Sequence, residues 1–291
     1  MFHHVDIQGG EMQGKLNRRS SNDIWILWID EANRDIQHLN IYQFNWTISF
    51  RQDSEISIGS YGILIPREKK MQFTYEDPEF LRFITATDIQ TDDLSLEYRI
   101  YINYHSRQRH ALWFISNCVP QRRLKYYEQL HAYYPVKAFG KCAPKQCRRN
   151  EMCESEQSYL AMFYLAFESQ TCMDYITEKF WRALFYGMIP IALGPMKQSY
   201  LDLGIPESAF IHVDQFSSPA ALGEQLDRIG KDYRLYREYF QWLKQYEVFY
   251  DINELEPIRM CELCIRLNRE NDGGGDQRFY RDIHRWHQVG C

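Results

Sequence analysis

Between Phe163 and Pro195 the spacing of apolar positions changes twice, and each change marks a new element. Phe163-Tyr164-Leu165-Ala166-Phe167 is an unbroken apolar run of strand length, the pattern of a buried strand. A polar loop follows, in which Asp174 is placed to cap a helix. Ile176, Phe180, Ala183 and Leu184 then fall at i, i+4, i+7 and i+8, one face of that helix. Gly187 stops it, and Ile189 to Leu193 returns as a second buried strand ending in Gly194-Pro195. Strand, helix and strand of this length make a βαβ unit, whose ligands bind at the carboxyl ends of the strands. That edge carries Glu168, Tyr175, Glu178 and Lys179, beside a helix N-terminus suited to a phosphate.

The rest of the chain reads as α/β in two halves. Residues 24–29 and 42–50 have strand patterns, 52–72 is a loop rich in glycine, serine and charge, and 76–106 is helical or mixed. The second half opens with a strand over 112–116. A helix follows from Arg122 to Tyr134, with Leu124, Tyr127, His131 and Tyr134 on one face. Pro135 ends that helix before a strand from Val136 to Phe139. Residues 141–157 form a cysteine-bearing loop. After the βαβ unit come a strand from Phe210 to Val213 and a helix capped by Ser218 with Pro219 in its first turn. A further helix runs from about Asp232 to Tyr246, and Asn271 to Gly275 is a flexible loop.

Composition narrows the class without naming it. A chain of 291 residues builds one large or two ordinary domains. Its net charge of −5 supplies no field for nucleic acid or an acidic membrane surface. The apolar stretch around Phe180 to Leu193 is interrupted by Arg182 and Pro190, so it falls short of a membrane span. Residues 1–20 contain no signal-peptide apolar segment. Eight cysteines, an even number, suit an oxidising compartment. Cys261-Glu262-Leu263-Cys264 reads as half a zinc site or a redox pair, and Cys142 and Cys147 do not supply a matching second half.

The pattern Phe167-Glu168, then five residues, then Asp174-Tyr175-Ile176-Thr177-Glu178-Lys179-Phe180, with Ile189 to Pro195 after it, closely resembles the signature of glycosyltransferase family 10, the α1,3/4-fucosyltransferases. The resemblance recurs at Phe44 to Thr47 with Arg51 to Glu55, at Ser116 to Cys118 with Arg123 to Leu130, and at Phe210 to Phe216. It implies a GT-B architecture, two Rossmann-like domains facing across a cleft. The expected bounds are an acceptor domain over 1–107, a GDP-fucose domain over 108–260 and a cysteine-bearing tail over 261–291. Met1 to Asp6 looks like a Phe-His-His-Arg-Asp segment that the family carries well inside its first domain, so the resemblance implies an opening βα unit missing from this sequence. The family consists mostly of Golgi membrane proteins with a lumenal catalytic domain, and this chain shows no anchor. The cysteine-rich loop and the closing Trp286 to Cys291 incline the resemblance toward the invertebrate and plant core α1,3 type, which acts on N-glycan chitobiose rather than N-acetyllactosamine.

The implied reaction displaces GDP from the anomeric carbon of fucose by a glycan hydroxyl, which needs a base and a cationic hold on the diphosphate. By the resemblance Glu31 is the base, although Ala32 and Asn33 replace the family's Ser-Pro and leave Asp30 as the next candidate. Arg123 and Lys179 hold the diphosphate, with Arg122 as a substitute. Cations in a first helical turn oppose the helix dipole unless an anion sits there. Glu178 takes the ribose and Tyr175 contacts the donor. Ser169 stands where the family has a donor-contacting Asn, which leaves binding without transfer as the alternative, a non-catalytic GDP-sugar- or glycan-binding remnant. No metal is required by the family's fold, and Mn2+ stimulation is compatible with it. The late Cys-x-x-Cys implies structural disulfides, and no cysteine precedes Cys118, so Cys291 or a local bridge is the expected partner. His3 and His4 resemble cleft-facing acceptor residues. The sequon at Asn45-Trp46-Thr47 lies in a strand and reads as structural.

Overall fold

The computed structural model describes residues 2–3, 20, 23–32, 35–67, 93–147, 152–271 and 279–291. The first half holds a parallel sheet of β1 (Phe2–His3), β2 (Ile26–Ile29) and β3 (Trp46–Ser49), in that order. Side chains alternate across β2. Leu27 and Ile29 pack with Trp25, Leu39, Tyr42 and Phe44, while Ile26 packs with Trp46, Ile48 and Ile56. Both faces are covered from the far end of the chain: Ile283 joins the first cluster, and Met260, Leu263 and Leu267 join the second. His4, Asp6 and Asn33 lie outside the described residues.

A two-stranded antiparallel ribbon, β4 (Ile63–Pro66) with β10 (Tyr246–Phe249), replaces two sequence expectations. The segment read as loop over 52–72 contains β4, and the helix read to Tyr246 stops early. The β4 pairing spans most of the chain, so no local pattern announces it. The expected helix stops at Glu238, and a 3-10 turn over Gln241–Lys244 leads into β10, with Phe240 and Trp242 in different core clusters.

The second half is a five-stranded parallel sheet of β5 (Gln108–Phe114), β6 (Val136–Phe139), β7 (Ala161–Phe167), β8 (Ile189–Leu193) and β9 (Ile211–His212). Its order is β6-β5-β7-β8-β9. Around it run α1 (Asp93–Ser106), α2 (Gln121–His131), α3 (Met152–Leu160), α4 (Glu178–Phe185), α5 (Lys197–Asp202), α6 (Pro219–Lys231) and α7 (Tyr233–Glu238). The chain closes with α8 (Ile252–Asn271) and α9 (Ile283–Gln288). Every residue of β7 is buried, which accounts for its unbroken apolar sequence. Phe163, Leu165 and Phe167 face Leu226, Ile229 and Tyr236, while Tyr164 and Ala166 face Phe180, Ala183 and Leu184 of α4. Ser218 caps α6 by accepting from the Ala221 N–H at 3.2 Å. The expected loop over 141–157 is found over 141–147 and gives way to α3 from Met152.

Asp174 does not cap α4. It sits in the left-handed region with φ 64°, and its carboxylate accepts instead from Gln52, at 3.1 Å from the backbone N–H and 3.2 Å from the side chain. Thr177 takes the N-cap position. The cysteine expectation also changes. Cys118 bonds Cys142, Cys147 bonds Cys153, and Cys172 bonds Cys291, whereas Cys261 and Cys264 are exposed free thiols. Cys172 holds Cys291, one of the two partners expected for the late pair, and the other expectation, a local bridge, fails too, since both cysteines are free and exposed.

Asp30, the second candidate for the base, is occupied. Arg259 of α8 is wholly buried, lies over the Trp28 ring at 5.0 Å, and forks onto Asp30 at 2.7 and 2.9 Å. Trp28 Nε1 and Ser60 Oγ donate to the same carboxylate at 2.6 and 2.5 Å. Removing one partner of such a pair leaves a charge buried without compensation. Asp30→Ala is expected to lower unfolding stability by about 3–5 kcal/mol, read from urea unfolding of both proteins. A loss under about 1 kcal/mol, the range of a surface ion pair, would show that the Asp30–Arg259 pair is not a structural anchor.

Candidate active site

The sheet order places β6 and β7 on opposite sides of β5, so the connections leave β5 and β7 in opposite directions. The carboxyl ends of those strands open a crevice at this switch point. The cavity there measures about 420 Å³. Ile115, Ser116 and Asn117 line it from the loop after β5, Arg123 from α2, Gly140 after β6, and Ser169 and Tyr175 after β7. Glu178, Lys179 and Arg182 enter from α4, Glu154 from α3, and Glu31 crosses from the end of β2. Glu31, Arg123, Ser169, Tyr175, Glu178 and Lys179, the six side chains named from the sequence, thus line one cleft.

A buried carboxylate organises the α4 side. Glu168, at the end of β7, has a side chain with no solvent exposure. It accepts from the Thr177 N–H at 2.8 Å and from Thr177 Oγ1 at 2.7 and 3.0 Å, and Lys179 Nζ donates to it at 3.2 Å. Lys179 also donates to Thr177 Oγ1 at 2.6 Å and to Glu178 Oε1 at 3.2 Å, which uses all three ammonium hydrogens. Burial disfavours the Lys179 cation, but Glu168 and Glu178 outweigh it and raise the lysine pKa above its ordinary 10.5. Burial likewise disfavours ionised Glu178, while Lys179 and Arg182 outweigh it and hold that carboxyl below its ordinary 4.5. Gly194 at the end of β8 makes room for the cluster, because a Cβ there would lie 2.9 Å from Glu168.

Arg123 differs in kind from Lys179. It is 4% exposed, and its fork donates to two backbone oxygens, Phe167 O at 3.1 Å and Asn117 O at 2.6 Å. Its Nε is buried without a hydrogen-bond partner, and among the described residues no carboxylate forms an ion pair with it. Burial lowers its pKa, with Glu168 and Tyr175 opposing, yet a guanidinium stays charged. An uncompensated buried cation at a cleft wall is a site for an anion. Arg122 lies instead on the outer side of α2, half-exposed and 3.9 Å from Asp214.

Glu31 is exposed in the cleft and accepts from the Tyr175 hydroxyl at 3.2 Å. Tyr175 is buried among Ala32, Phe50 and Cys172, and the Phe50 ring meets it edge-on at 5.1 Å. Burial, then Glu168 and Glu31, raise its pKa, so it stays protonated and donating. Two lining groups were not singled out from the sequence. Arg182 bonds Glu154 at 2.7 Å and lies 5.6 Å over the Phe114 ring. Arg182 stands four residues after Glu178, a helix-face signal that was available. Glu154 carried none, because its segment read as loop. Among the described residues, no cluster of three or more His, Cys, Asp or Glu is placed to hold a metal, and no helix is long and apolar enough to cross a membrane.

A carboxylate thus faces a buried guanidinium across the switch point of a parallel α/β sheet, the place where such sheets bind ligands. The sequence profile described as glycosyltransferase family 10 (fucosyltransferase) C-term matches residues 104–286, and this chain belongs to that family. It is 31% identical to glycoprotein 3-alpha-L-fucosyltransferase A of Drosophila melanogaster over 92% of this chain and 48% of that protein. It is 30% identical to alpha-(1,3)-fucosyltransferase 7 of Bos taurus over 99% of this chain and 73% of that protein. The chain therefore spans about half the length of the fly relative. A crystal structure of an alpha1,3-fucosyltransferase with GDP-fucose shares the fold, with TM-score 0.50 and 17% identity over 77% of this chain and 67% of that one.

The charges of α4 set a pH dependence. A carboxyl depressed in the folded state contributes stability above its unfolded pKa and loses it as pH falls through the folded value. The stability difference between wild type and Glu178→Gln is therefore expected to be constant well above the ordinary 4.5 and to shrink as pH falls below it. Urea unfolding at stepped pH measures it, and a difference that widens on acidification would contradict the assigned direction.

Proposed function

We propose that this protein transfers fucose from GDP-fucose to a GlcNAc hydroxyl of a glycoprotein glycan, in α1,3 linkage and with inversion. The observation that carries the reading is Arg123, a buried guanidinium held by backbone oxygens in the same cleft as the Glu31 carboxylate. Family membership supplies the chemistry that joins the two. The glycan hydroxyl attacks the anomeric carbon, and the bond from that carbon to the GDP oxygen breaks with its electron pair leaving on GDP. Glu31 takes the hydroxyl proton. One carboxylate, with no covalent sugar intermediate, gives inversion.

In this reading Arg123 forks onto the diphosphate as charge develops there. Glu178 exchanges Lys179 for a ribose hydroxyl, which frees one ammonium hydrogen for a phosphate oxygen. Tyr175 contacts the donor while fixing Glu31, and Ser169, shorter than an Asn, reaches the donor through a water. No metal is assigned a role. The arrangement is GT-B, with residues 1–107 on the acceptor side, 108–260 on the donor side and 261–291 as a C-terminal segment. Three disulfides support action in an oxidising lumen, and we assign the protein to the Golgi lumen on that ground together with its family. The core chitobiose of N-glycans is the favoured acceptor over N-acetyllactosamine.

The test is GDP release with N-glycan core and N-acetyllactosamine acceptors, alongside calorimetric GDP binding. GDP is expected to bind more tightly than UDP or CMP. Glu31→Gln retains shape but accepts no proton, so GDP affinity is expected to survive while turnover falls about 100- to 10,000-fold. Arg123→Ala is expected to weaken GDP binding by about 1.5–3 kcal/mol and to lower turnover with it. GDP binding without turnover on any acceptor would leave a non-catalytic GDP-sugar-binding protein. Turnover unchanged by Glu31→Gln would remove Glu31 as the base.

A further inference from the structure

The same five C-terminal residues hold both ends of the Glu31–Tyr175 hydrogen bond. His287, on α9 and wholly buried, places Nε2 3.0 Å from the Glu31 carbonyl oxygen. A carbonyl only accepts, so Nε2 carries the proton and donates. Four residues later Cys291 is bonded to Cys172, three positions before Tyr175. Between these anchors the segment is fixed twice more. Arg51 donates to Val289 O at 2.7 Å, and the Met173 N–H donates to Gly290 O at 3.1 Å. Gly290 has φ +78°, and a Cβ there would lie 2.8 Å from the Met173 Cβ, so this close approach requires glycine.

We propose that residues 287–291 form a strap that sets the position of Glu31 against the Tyr175 wall, with His287 as the positioning residue for the carboxylate. The inference rests on the reading of Glu31 as the base. His287 touches no reacting atom in that reading. It fixes the peptide from which the carboxylate projects, while the Cys172–Cys291 bond fixes the loop from which Tyr175 projects. Displacement of a base by about 1 Å costs on the order of 100-fold in rate. In that reading Arg123, Glu178 and Lys179 hold GDP, and loss of the His287 bond displaces the carboxylate while leaving those groups in place. His287 therefore acts on kcat and spares GDP affinity.

The experiment compares wild type, His287→Leu, His287→Gln and the double variant Cys172→Ser/Cys291→Ser. GDP binding, thermal unfolding, kcat and KM, and deuterium exchange of peptides covering residues 26–32 are measured for each. His287→Leu is expected to lose about 10- to 100-fold in kcat with GDP affinity retained, and the double variant, which also frees the Tyr175 loop, to lose at least as much in kcat. Gln carries a side-chain N–H donor, so His287→Gln is expected to recover most of that loss. Faster exchange in the 26–32 peptides of the Leu variant, reversed in the Gln variant, is the structural signature. Unchanged kcat, no recovery by Gln, or a parallel loss of GDP affinity in His287→Leu would overturn the proposal. Should wild type transfer to no acceptor, the functional reading fails by itself. Exchange then decides the strap: faster exchange over 26–32 sustains it, and unchanged exchange overturns it.

Discussion

A carboxylate with no solvent contact, Glu168, sits where β7 ends and the α4 loop begins, and the α4 side of the cleft is arranged around it. A buried carboxylate is tolerable only when its lone pairs are met and its charge is opposed. Thr177 supplies the donors from the N-cap position of α4, and Lys179 supplies the charge from the first turn. Those demands fix where α4 starts and which way its first turn faces. Glu178 and Lys179 consequently stand in the cleft rather than on solvent. The same constraint requires a residue without Cβ at position 194, since β8 passes directly beside the Glu168 side chain.

The cleft treats its cations in two ways. Lys179 is neutralised by Glu168 and Glu178, and Arg182 by Glu154, so these side chains cost little to bury in the absence of ligand. Arg123 is compensated only by carbonyl dipoles, at a depth where burial opposes its charge. An incoming anion gains most where the resident charge is least satisfied. In the proposed reading Arg123 is therefore the first point of capture, and the α4 cluster is the part that exchanges partners. The disulfide between Cys118 and Cys142 joins the loops after β5 and β6, which carry Ser116, Asn117 and Gly140, so the wall beside Arg123 is fixed covalently.

The βαβ unit was legible because both of its signals are local. An all-apolar seven-residue strand and a helix with one apolar face leave a distinct trace within thirty residues. Family resemblance added Glu31, which spacing alone does not connect to residues 123–179. The missed features depend on pairing distant in sequence. The β4–β10 ribbon joins Ile63 to Phe249, and the helix that leads into it ends early, at Glu238, to let β10 pair. Asp174 had the chemistry of a cap at a plausible spacing, and a partner from the other half, Gln52, captured its carboxylate instead. The late cysteine pair was misread for the same reason, since the partner of Cys291 was decided by how the chain end packs.

That packing bears on how two separate sheets come to share one site. Glu31 belongs to the first sheet, and the other cleft groups belong to the second. Four links between the first sheet with its C-terminal cover and the second meet in one stretch: Tyr175 to Glu31, Gln52 to Asp174, Met173 to Gly290, and Cys172 to Cys291. All four converge on residues 172–175, between β7 and α4. A hydrogen bond at 3.2 Å between a side chain of each half is a weak fastener by itself, worth roughly 1 kcal/mol. A covalent bond three residues away removes most of the freedom that would let it open. The left-handed turn at Asp174 presents Tyr175 to the cleft and Asp174 to Gln52 from adjacent positions. Four consecutive residues thereby hold the two halves in register, and the separation between the carboxylate and the anion cradle is set by that loop rather than by the sheets themselves.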